Sequence, residues 1–507
     1  MEEETRMTAP TTRPSKTASD DGLWHWRRDV WRRDRTSLAP RVTLVAALGT
    51  GALATLILQV SVVSIAYLLT GAALAVTAFA TVRPRPTPLQ LVAVAGALAL
   101  LAVAAVRGAE WLVALCVVAS WVVGSVALVG GRTWTGITLA PAAVWLTPVR
   151  LVGWVQRGRA RLGVVRGVKP GRVIAVTAIS VALVALFGSL FVSADPEFGR
   201  LFDPVVPEVR VSNPVGRLFV GCLVAVVASA AAYLRRRPPT FDALAPGGGR
   251  PIARWEWAVP LALLDALFAG FVAVQVRVLF GGDRHVRDTV GLTYANYARQ
   301  GFWQLAAVTV LTLLVVAVAV RKVDRNSAGD RVTARLLLGT LCLLTLVVVA
   351  SAVHRMTLYE NEFGFTRLRL GVMAAELWLG VVFVLLIAAG IRMSARWLPR
   401  AVLMSASVGL LGFAALNPDG YIAERNVDRY ADTGEIDVGY LRGLSTDAVP
   451  ALDRLPEPVR SCALSAIGVR DEPAWFEYNA SRTRAQHILQ ARPAEPCNHG
   501  FGIDPGH

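Results

Sequence analysis

The sequence predicts an all-α, polytopic integral membrane protein: a bundle of about 11 membrane-spanning helices with a small helical C-terminal domain. Three observations lead to this fold class. Of the 507 residues, 54% are hydrophobic and only 17% are charged, whereas soluble domains carry about 25% charged residues. The apolar residues gather in runs of about 20, the length that a helix needs to cross a bilayer. Lysine and arginine gather between those runs, as they do in the cytoplasmic loops of membrane proteins.

Residues 1–41 precede the first apolar run and are predicted to form a disordered, basic N-terminus. Trp24, Trp26 and Trp31 alternate there with arginines directly before the first span. Indole rings favour the membrane interface, and arginines face anionic headgroups. We therefore interpret this stretch as lipid-facing and expect no nucleic-acid partner, which would need a longer basic face. No cleavable signal peptide is expected, because a largely polar segment comes first.

Residues 42–417 are predicted to form the transmembrane domain, and its spans follow one another with short connections. The predicted spans are 42–58, 61–80, 89–106, 111–129, 172–193, 214–234, 255–280, 302–320, 333–353, 371–391 and 399–416. The boundary between the first two is weak. The apolar segment 133–155 is broken by Pro141 and Pro148 and carries three tryptophans, so we expect an interfacial or re-entrant piece there.

The distribution of basic residues predicts the orientation of the bundle. If the N-terminus is cytoplasmic, the cytoplasmic connections hold 32 of the 52 lysines and arginines, and the opposite connections with the outer helix ends hold 11. Such a bias marks the cytoplasmic side. Counting 133–155 as a full span would move every later basic loop outside. The N-terminus is therefore predicted to lie inside and the C-terminus outside.

Residues 418–507 are polar and predict a small helical domain on the extracytoplasmic side. Short helical stretches broken by proline and glycine alternate along this tail. Cys462 and Cys497 are the only cysteines in it, and disulfides persist outside the cytoplasm. We expect these two to pair, although two separate thiols remain the alternative.

Two acidic residues fall inside predicted spans. Asp265 lies near the middle of 255–280, and Glu376 lies about a turn inside the outer end of 371–391, as Arg277 does in its own span. An intramembrane carboxylate costs at least ~2.5 kcal/mol, so it should be paired, protonated or exposed to water. A structural hydrogen bond and an ion or proton relay both remain open for Asp265. Arg277 can extend its charged end to the interface.

The outer connections on either side of these spans hold the other candidate polar groups. Residues 283–303 have a helical period with Tyr294 and Tyr297 on one face, which indicates aromatic-belt residues or a ligand platform. The loop 354–370 is denser in polar chemistry, although Gly364 interrupts its helical pattern. Structural ion pairs and a substrate site are both compatible with it. Its candidate residues are His354, Arg355, Tyr359, Glu362 and Arg369.

No catalytic or nucleotide-binding motif accompanies these residues. The sequence contains no P-loop, no dinucleotide fingerprint, no zinc-protease motif and no nucleophile elbow. The five cysteines lack any spacing typical of zinc sites. We therefore expect no cofactor and no metal, and an enzyme is the least favoured class because no nucleophile–base pair is evident.

Four stretches carry a resemblance to a known family. They are EWAVPLALLDALFAGFVAVQVRVLFGG (256–282), TYANYARQGFWQL (293–305), HRMTLYENEFGFTRLRL (354–370) and NPDGYIAERNVDRY with YLRGLSTDAVPAL (417–430 and 440–452). Over about 170–455 the chain resembles bacterial polytopic membrane proteins of the domain-of-unknown-function 4153/4173 type. The resemblance implies a many-span architecture and carries no activity or catalytic residues with it.

Two function classes follow for a multi-pass protein of the bacterial cytoplasmic membrane. The first is a non-catalytic envelope scaffold or signalling partner, which uses the outer loops and the tail to bind another envelope or signalling protein. The alternative is an ion-coupled transporter or carrier that uses Asp265 and Glu376. The scaffold is preferred because so few ionisable residues lie in the middle of the membrane. Apart from that partner, only the lipid bilayer is expected to contact the chain.

Overall fold

The structure is a computed structural model, and it describes most of the chain apart from its N-terminus and several connections. The described residues are 40–81, 85–148, 151, 154, 214–245, 252–280, 294–323, 327–392, 395–468 and 474–497. At 214, 276–280, 294–301 and 361 the description is confined to the backbone. All regular structure within these ranges is helical, as the apolar runs predict.

Eleven apolar helices form the bundle in the described part of the chain. They are α1 (Arg41–Ile57), α2 (Ala66–Phe79), α3 (Pro88–Val106), α4 (Glu110–Val129), α5 (Trp134–Leu146), α6 (Pro214–Arg236), α7 (Arg254–Phe280), α8 (Tyr294–Lys322), α9 (Ala328–Phe363), α10 (Arg367–Arg392) and α11 (Leu398–Leu416). Eight of them, α3, α4 and α6–α11, are long and apolar enough to cross a membrane. The chain is therefore a multi-pass integral membrane protein.

The predicted spans agree with these helices in most places and differ from them in two. Each of the eight long helices coincides with one predicted span. The first two predicted spans, 42–58 and 61–80, are helices of only 17 and 14 residues, because the chain leaves helical geometry between Ile57 and Ala66. The predicted span 172–193 and nearly all of the predicted N-terminus 1–41 lie outside the described residues.

Helix α5 occupies part of the apolar segment 133–155. It has 13 residues and is therefore about 20 Å long, too short to cross a bilayer core of about 30 Å. Its residues Ala143 and Val144 pack in one apolar cluster with Leu128 near the end of α4 and with Leu234 near the end of α6. Helix α5 thus lies beside the helix ends on one side of the bundle.

Close packing of small residues joins α1 to α6. A Cβ atom added to Gly51 of α1 would lie 2.7 Å from the Cβ of Ala225, and one added to Gly221 of α6 would lie 1.8 Å from Oγ1 of Thr55. Such close backbone approach is the usual mode of helix association in membranes, where hydrophobic burial gives little driving force. These glycines therefore hold the first helix of the bundle against the sixth.

Helix α9 is the centre of the second half of the bundle. Helices α7, α8 and α10 all pack against it, and α11 connects α10 to the first half through α3, α4 and α5. At 36 residues and about 54 Å, α9 is much longer than a bilayer core. It is therefore longer than a helix needs to be to cross the bilayer core.

The connections between the helices gather on two faces. The basic face holds the connections after α2, α4, α6, α8 and α10. Arg400 there donates to the carbonyls of Gly130 and Gly131 at 2.9 Å, and the Asp242 carboxylate accepts the N–H groups of Arg132 and Thr133. The tail face holds the connections after α1, α3, α9 and α11.

The chain after Asn417 folds as a set of short helices on the tail face. They are α12 (Pro418–Thr433), α13 (Val438–Leu441), α14 (Val449–Leu452), α15 (Val459–Leu464) and α16 (Ala480–Ala491). Ile422, Leu452 and Ala485, all fully buried, belong to one apolar cluster of this segment, which also includes Leu370 of α10. Cys462 is joined to Cys497 by a disulfide across this cluster.

Candidate functional site

Three of the acidic side chains that are buried in the second half of the bundle lack a hydrogen-bond partner for at least one oxygen among the described residues. Asp330 is buried there too, but it pairs with Arg254. Asp265 on α7 is 8% exposed, Glu376 on α10 is 2% exposed, and Glu360 on α9 is 1% exposed. In the described part of the chain, neither carboxylate oxygen of Asp265 has a hydrogen-bond partner, and one oxygen of each glutamate lacks one. A buried polar group without a partner is costly, so packing alone gives no reason for these residues to be acidic.

The structure does not bring the two predicted acids together. Oε1 of Gln275 lies 3.1 Å from Oγ of Ser351, which fixes the register of α7 against α9. Asp265 is ten residues before Gln275, and hence about 15 Å nearer the basic face. On α10, a Cβ added to Gly380 would lie 3.6 Å from Val349 of α9, so Glu376 lies near the level of Ser351. Asp265 and Glu376 therefore occupy different depths, about 15 Å apart.

A second polar contact lies close to the level of Glu376. Arg355, one of the predicted site residues, donates from Nη2 to Oε1 of Gln275 at 3.1 Å. The same oxygen accepts the hydroxyl of Ser351. Helices α7 and α9 are thus joined through buried polar groups on the half of the bundle nearer the tail face. Gln275 and Ser351 were not predicted as site residues, because the sequence-based candidates were restricted to ionisable residues and tyrosines.

The predicted loop 354–370 is mostly helical. Helix α9 continues through it to Phe363 and ends at Gly364, whose φ of +78° requires a glycine. His354 and Glu362 are exposed on this last part of α9. Arg369 lies over the ring of Tyr359 with Cζ 4.3 Å from the ring centroid, and it donates to the carbonyl of Gly364 at the end of α9. These contacts join the two sides of the turn between α9 and α10.

Three predicted site residues cannot be assigned contacts. The side chains of Arg277, Tyr294 and Tyr297 lie outside the described residues, as does most of the connection 283–300. The backbone of Arg277 belongs to α7, and Tyr294 begins α8. Their roles as interfacial or ligand-binding residues stay predictions.

A second polar centre, which the sequence did not reveal, joins the tail to the bundle. The Asp419 side chain is fully buried at the start of α12. Its Oδ1 accepts Nε of Arg367 at 2.8 Å and Nε1 of Trp111 at 3.2 Å. Its Oδ2 accepts Nη2 of Arg367 at 2.5 Å and the backbone N–H of Ser445 at 2.9 Å. One carboxylate thus connects α4, α10 and two segments of the tail.

The charge of Asp419 is stabilised by these donors. Burial acts to raise the pKa of the carboxyl, but the ionic hydrogen bonds from Arg367 and the donors of Ser445 outweigh it and hold the pKa below its usual value. Asp242 on the basic face shows the same balance. Burial acts to raise the pKa of its carboxyl, but the hydrogen bonds from the N–H groups of Arg132 and Thr133 help to bring the pKa below its usual value. Both carboxylates are therefore anions in a structural role.

The tail also satisfies backbone groups that the spanning helices leave unpaired at their ends. Oδ2 of Asp447 accepts the N–H groups of Gly108 and Ala109 at 2.7 and 3.0 Å, directly before α4 begins. Nδ2 of Asn479 donates to the carbonyls of Ala104 and Arg107 at the end of α3. A helix leaves four N–H and four carbonyl groups unpaired at its ends, and a carboxylate at the N-terminus also interacts favourably with the helix dipole.

A polar cleft lies between the tail and the ends of α3 and α11. It encloses about 350 Å³, which is within the range of small-ligand pockets. Arginine, carboxylate, amide and hydroxyl groups of the tail form most of its walls. Its lining includes Val106, Arg107, Leu416, Asn417, Tyr421, Glu424, Thr446, Asp447, Arg454, Ser481 and Arg484.

No cluster of three or more histidine, cysteine or acidic residues that could hold a metal ion occurs in the described part of the chain. Most of the residues that join the tail to the bundle come from tail positions that look like ordinary surface in the sequence. The one signal that could have revealed Asp419 is its place two residues after Asn417, where an apolar span ends and a new helix begins.

Comparison with known protein families identifies the family of the chain. A family profile described as "Domain of unknown function (DUF4153)" matches residues 95–455, more than two thirds of the chain. The matched range contains the eight long helices apart from the first part of α3, and it extends to the end of α14 in the tail. No curated protein and no solved structure matches the chain.

Proposed function

The chain belongs to the DUF4153 family of domains of unknown function, and we propose that this multi-pass membrane protein is a non-catalytic scaffold or signalling partner in the bacterial cell envelope. The tail would be the part that meets the partner, which is another envelope or signalling protein. The observation that carries the proposal is the junction around Asp419 and Asp447, which fixes the tail to the ends of α3, α4, α10 and α11.

The proposal includes an orientation with the basic face in the cytoplasm and the tail outside. The connections on the basic face are rich in arginine, and cytoplasmic loops carry an excess of such residues. The segment that contains α5 would then lie at the cytoplasmic interface. The disulfide between Cys462 and Cys497 supports an outer tail, because disulfides persist outside the cytoplasm.

A rigid junction supports a role in presenting a surface. A carboxylate that accepts four hydrogen bonds from three separate parts of the chain, as Asp419 does, allows little movement of the tail relative to the spans. A flexible tether would need no such contacts. A protein that holds a partner at a fixed position relative to the membrane would need such contacts.

The second candidate function is an ion-coupled carrier, and the buried acids favour it. Asp265, Glu376 and Glu360 lack partners for at least one oxygen in the described part of the chain. Intramembrane acids that do not stabilise the fold are functional candidates by default. Their separation in depth would suit successive positions along a path. It argues against a single binding site made of Asp265 and Glu376 together.

One experiment separates the two candidates. A strain that lacks the protein is complemented with the double variant Asp265→Asn and Glu376→Gln, or with the junction variant Arg367→Met. The scaffold proposal expects the double variant to restore the envelope phenotype fully and the junction variant to fail. The carrier proposal expects the double variant to fail although it accumulates in the membrane at the normal level.

A photoreactive residue in place of exposed Arg442 adds a direct readout. The scaffold proposal expects a discrete crosslinked complex with one other envelope protein, absent when the same residue replaces Arg396 beyond α10 on the basic face. Crosslinks only to lipid or to a second copy of the chain would contradict it.

A further inference from the structure

The cleft between the tail and the bundle combines two kinds of surface. Val106 and Leu416 are the last residues of α3 and α11, and they are 48% and 46% exposed. Both line the cleft, while the remaining walls are mostly polar groups of the tail. Because α3 and α11 are spanning helices that pack against each other, the apolar part of the cleft continues onto surfaces that face lipid. A ligand here would need an apolar part and a polar part.

Several polar groups of the cleft are already engaged. Arg107 donates from Nε and Nη2 to the carbonyls of Ala414 and Ala415, and Arg454 forms an ion pair with Asp428 at 2.8 Å. Asp447 accepts the N–H groups in front of α4. These side chains build the walls and are fixed by the protein itself.

Two other groups of the cleft remain available to a ligand. In the part of the chain that the structure describes, Arg484 and Glu424 have no hydrogen-bond or ion-pair partner, and both are exposed. One exposed cation and one exposed anion thus lie beside the apolar ends of two spans.

We propose that the cleft binds the headgroup of a phospholipid that carries a primary ammonium group, as phosphatidylethanolamine does. The phosphate would pair with Arg484, since guanidinium groups bind phosphate oxygens strongly. The ammonium group would donate to the carboxylate of Glu424, which is exposed. The acyl chains would pass over Val106 and Leu416 onto the outer surfaces of α3 and α11. The lipid would thus lie between the tail and the bundle.

The test measures thermal unfolding of the purified full-length protein in detergent while one lipid at a time is added. Phosphatidylethanolamine is compared with phosphatidylcholine, which has the same charges but no N–H donor, and with water-soluble glycerophosphoethanolamine, which lacks acyl chains. We expect phosphatidylethanolamine to raise the melting temperature at a lipid concentration about tenfold lower than phosphatidylcholine requires, because hydrogen bonds to a charged group are lost with the latter.

Two variants and one control locate the effect in the cleft. Glu424→Gln should remove the preference for phosphatidylethanolamine, because it removes the carboxylate that accepts from the ammonium group. Arg484→Gln should weaken the stabilisation by both lipids, because both carry the phosphate. Arg442→Gln changes an exposed arginine of the tail that does not line the cleft, and it should keep the full effect. Equal stabilisation by both lipids in the unmodified protein would overturn the proposal. So would an unchanged preference in Glu424→Gln, undiminished stabilisation in Arg484→Gln, or full stabilisation by the soluble headgroup alone.

Discussion

Two buried aspartates of this protein have opposite surroundings. Asp419 at the tail junction is fully buried and accepts hydrogen bonds from Arg367, Trp111 and Ser445. Asp265 in the middle of α7 is almost as buried, at 8% exposure, and neither of its oxygens has a partner in the described part of the chain. Burial by itself therefore does not tell which acids hold the fold together.

The difference assigns different roles to the two regions. Where donors surround a buried carboxylate, its removal leaves those donors unsatisfied, and the fold loses stability. Where no donor is present, an amide of the same shape can replace the carboxylate at little cost. The contacts at the tail junction therefore stabilise the fold, whereas in the described part of the chain Asp265 makes no hydrogen bond that an amide would lose.

Arg367→Met should be the most destabilising substitution. It removes the cation that pairs with Asp419 and leaves a fully buried anion without its main partner, which costs about 3–5 kcal/mol. Because Arg367 itself is 33% exposed, the loss should fall at the lower end of that range. Chemical denaturation of the purified protein measures it. Asp428→Asn is the control, since it breaks an ion pair with Arg454 that is about half exposed on both sides and should cost at most about 1 kcal/mol.

The disulfide in the tail should contribute the next largest amount. Cys462 and Cys497 are 35 residues apart in sequence, and closing a loop of that size stabilises a fold by about 2–4 kcal/mol. Cys497→Ala should lower the stability of the tail by this amount and leave the spans folded. Thiol labelling of the unreduced protein tests the pairing itself: strong labelling at both positions in protein taken from cells would contradict it.

Gly108→Ala should weaken the contact between the tail and the bundle. A Cβ at this position would lie 2.1 Å from Oγ1 of Thr446 and 3.1 Å from Oγ of Ser481, so the tail must shift, at a cost of about 1–3 kcal/mol. Faster proteolysis of the tail in the folded protein would report the shift. Gly468→Ala provides the matched control, because it adds the same atom to a loop glycine with nothing within 4 Å. Equal proteolysis of the two variants would show that the contact at Gly108 is dispensable.

Acidification should loosen the junction gradually. The pKa of Asp419 lies below its usual value in the folded protein, so its contribution to stability is present above the unfolded value of about 3.9 and is lost as the pH falls through the folded pKa. The tail should therefore become more sensitive to protease below about pH 4. Asp419→Asn should remove this part of the pH dependence, whereas Asp265→Asn should not alter it.

The sequence predicted the parts of this structure that depend on local composition. Eight of the apolar runs coincide with the eight long helices of the described residues. Helix α9 ends at Gly364, the residue that interrupts the helical pattern of the sequence. The junction could not be predicted, because the partners of Asp419 are Trp111 and Arg367, which are 308 and 52 residues away. Such contacts depend on how the spans pack, and hydrophobic periodicity does not contain that information. The burial of Asp265 followed from its position in a span, but its lack of a partner did not.

The most direct test compares one substitution at two positions. Asp419→Asn and Asp265→Asn each replace a buried carboxylate by an amide of nearly the same shape, and the thermal unfolding of both variants is measured in the same detergent. We expect a clear loss of stability for Asp419→Asn, because an amide nitrogen cannot accept the hydrogen bonds from Arg367. We expect a change within about 1 kcal/mol for Asp265→Asn, since hydrogen bonds of the ordinary kind contribute roughly that much and none is lost there. Equal destabilisation by the two substitutions, or a larger loss at Asp265, would show that the donors around Asp419 do not distinguish the two carboxylates.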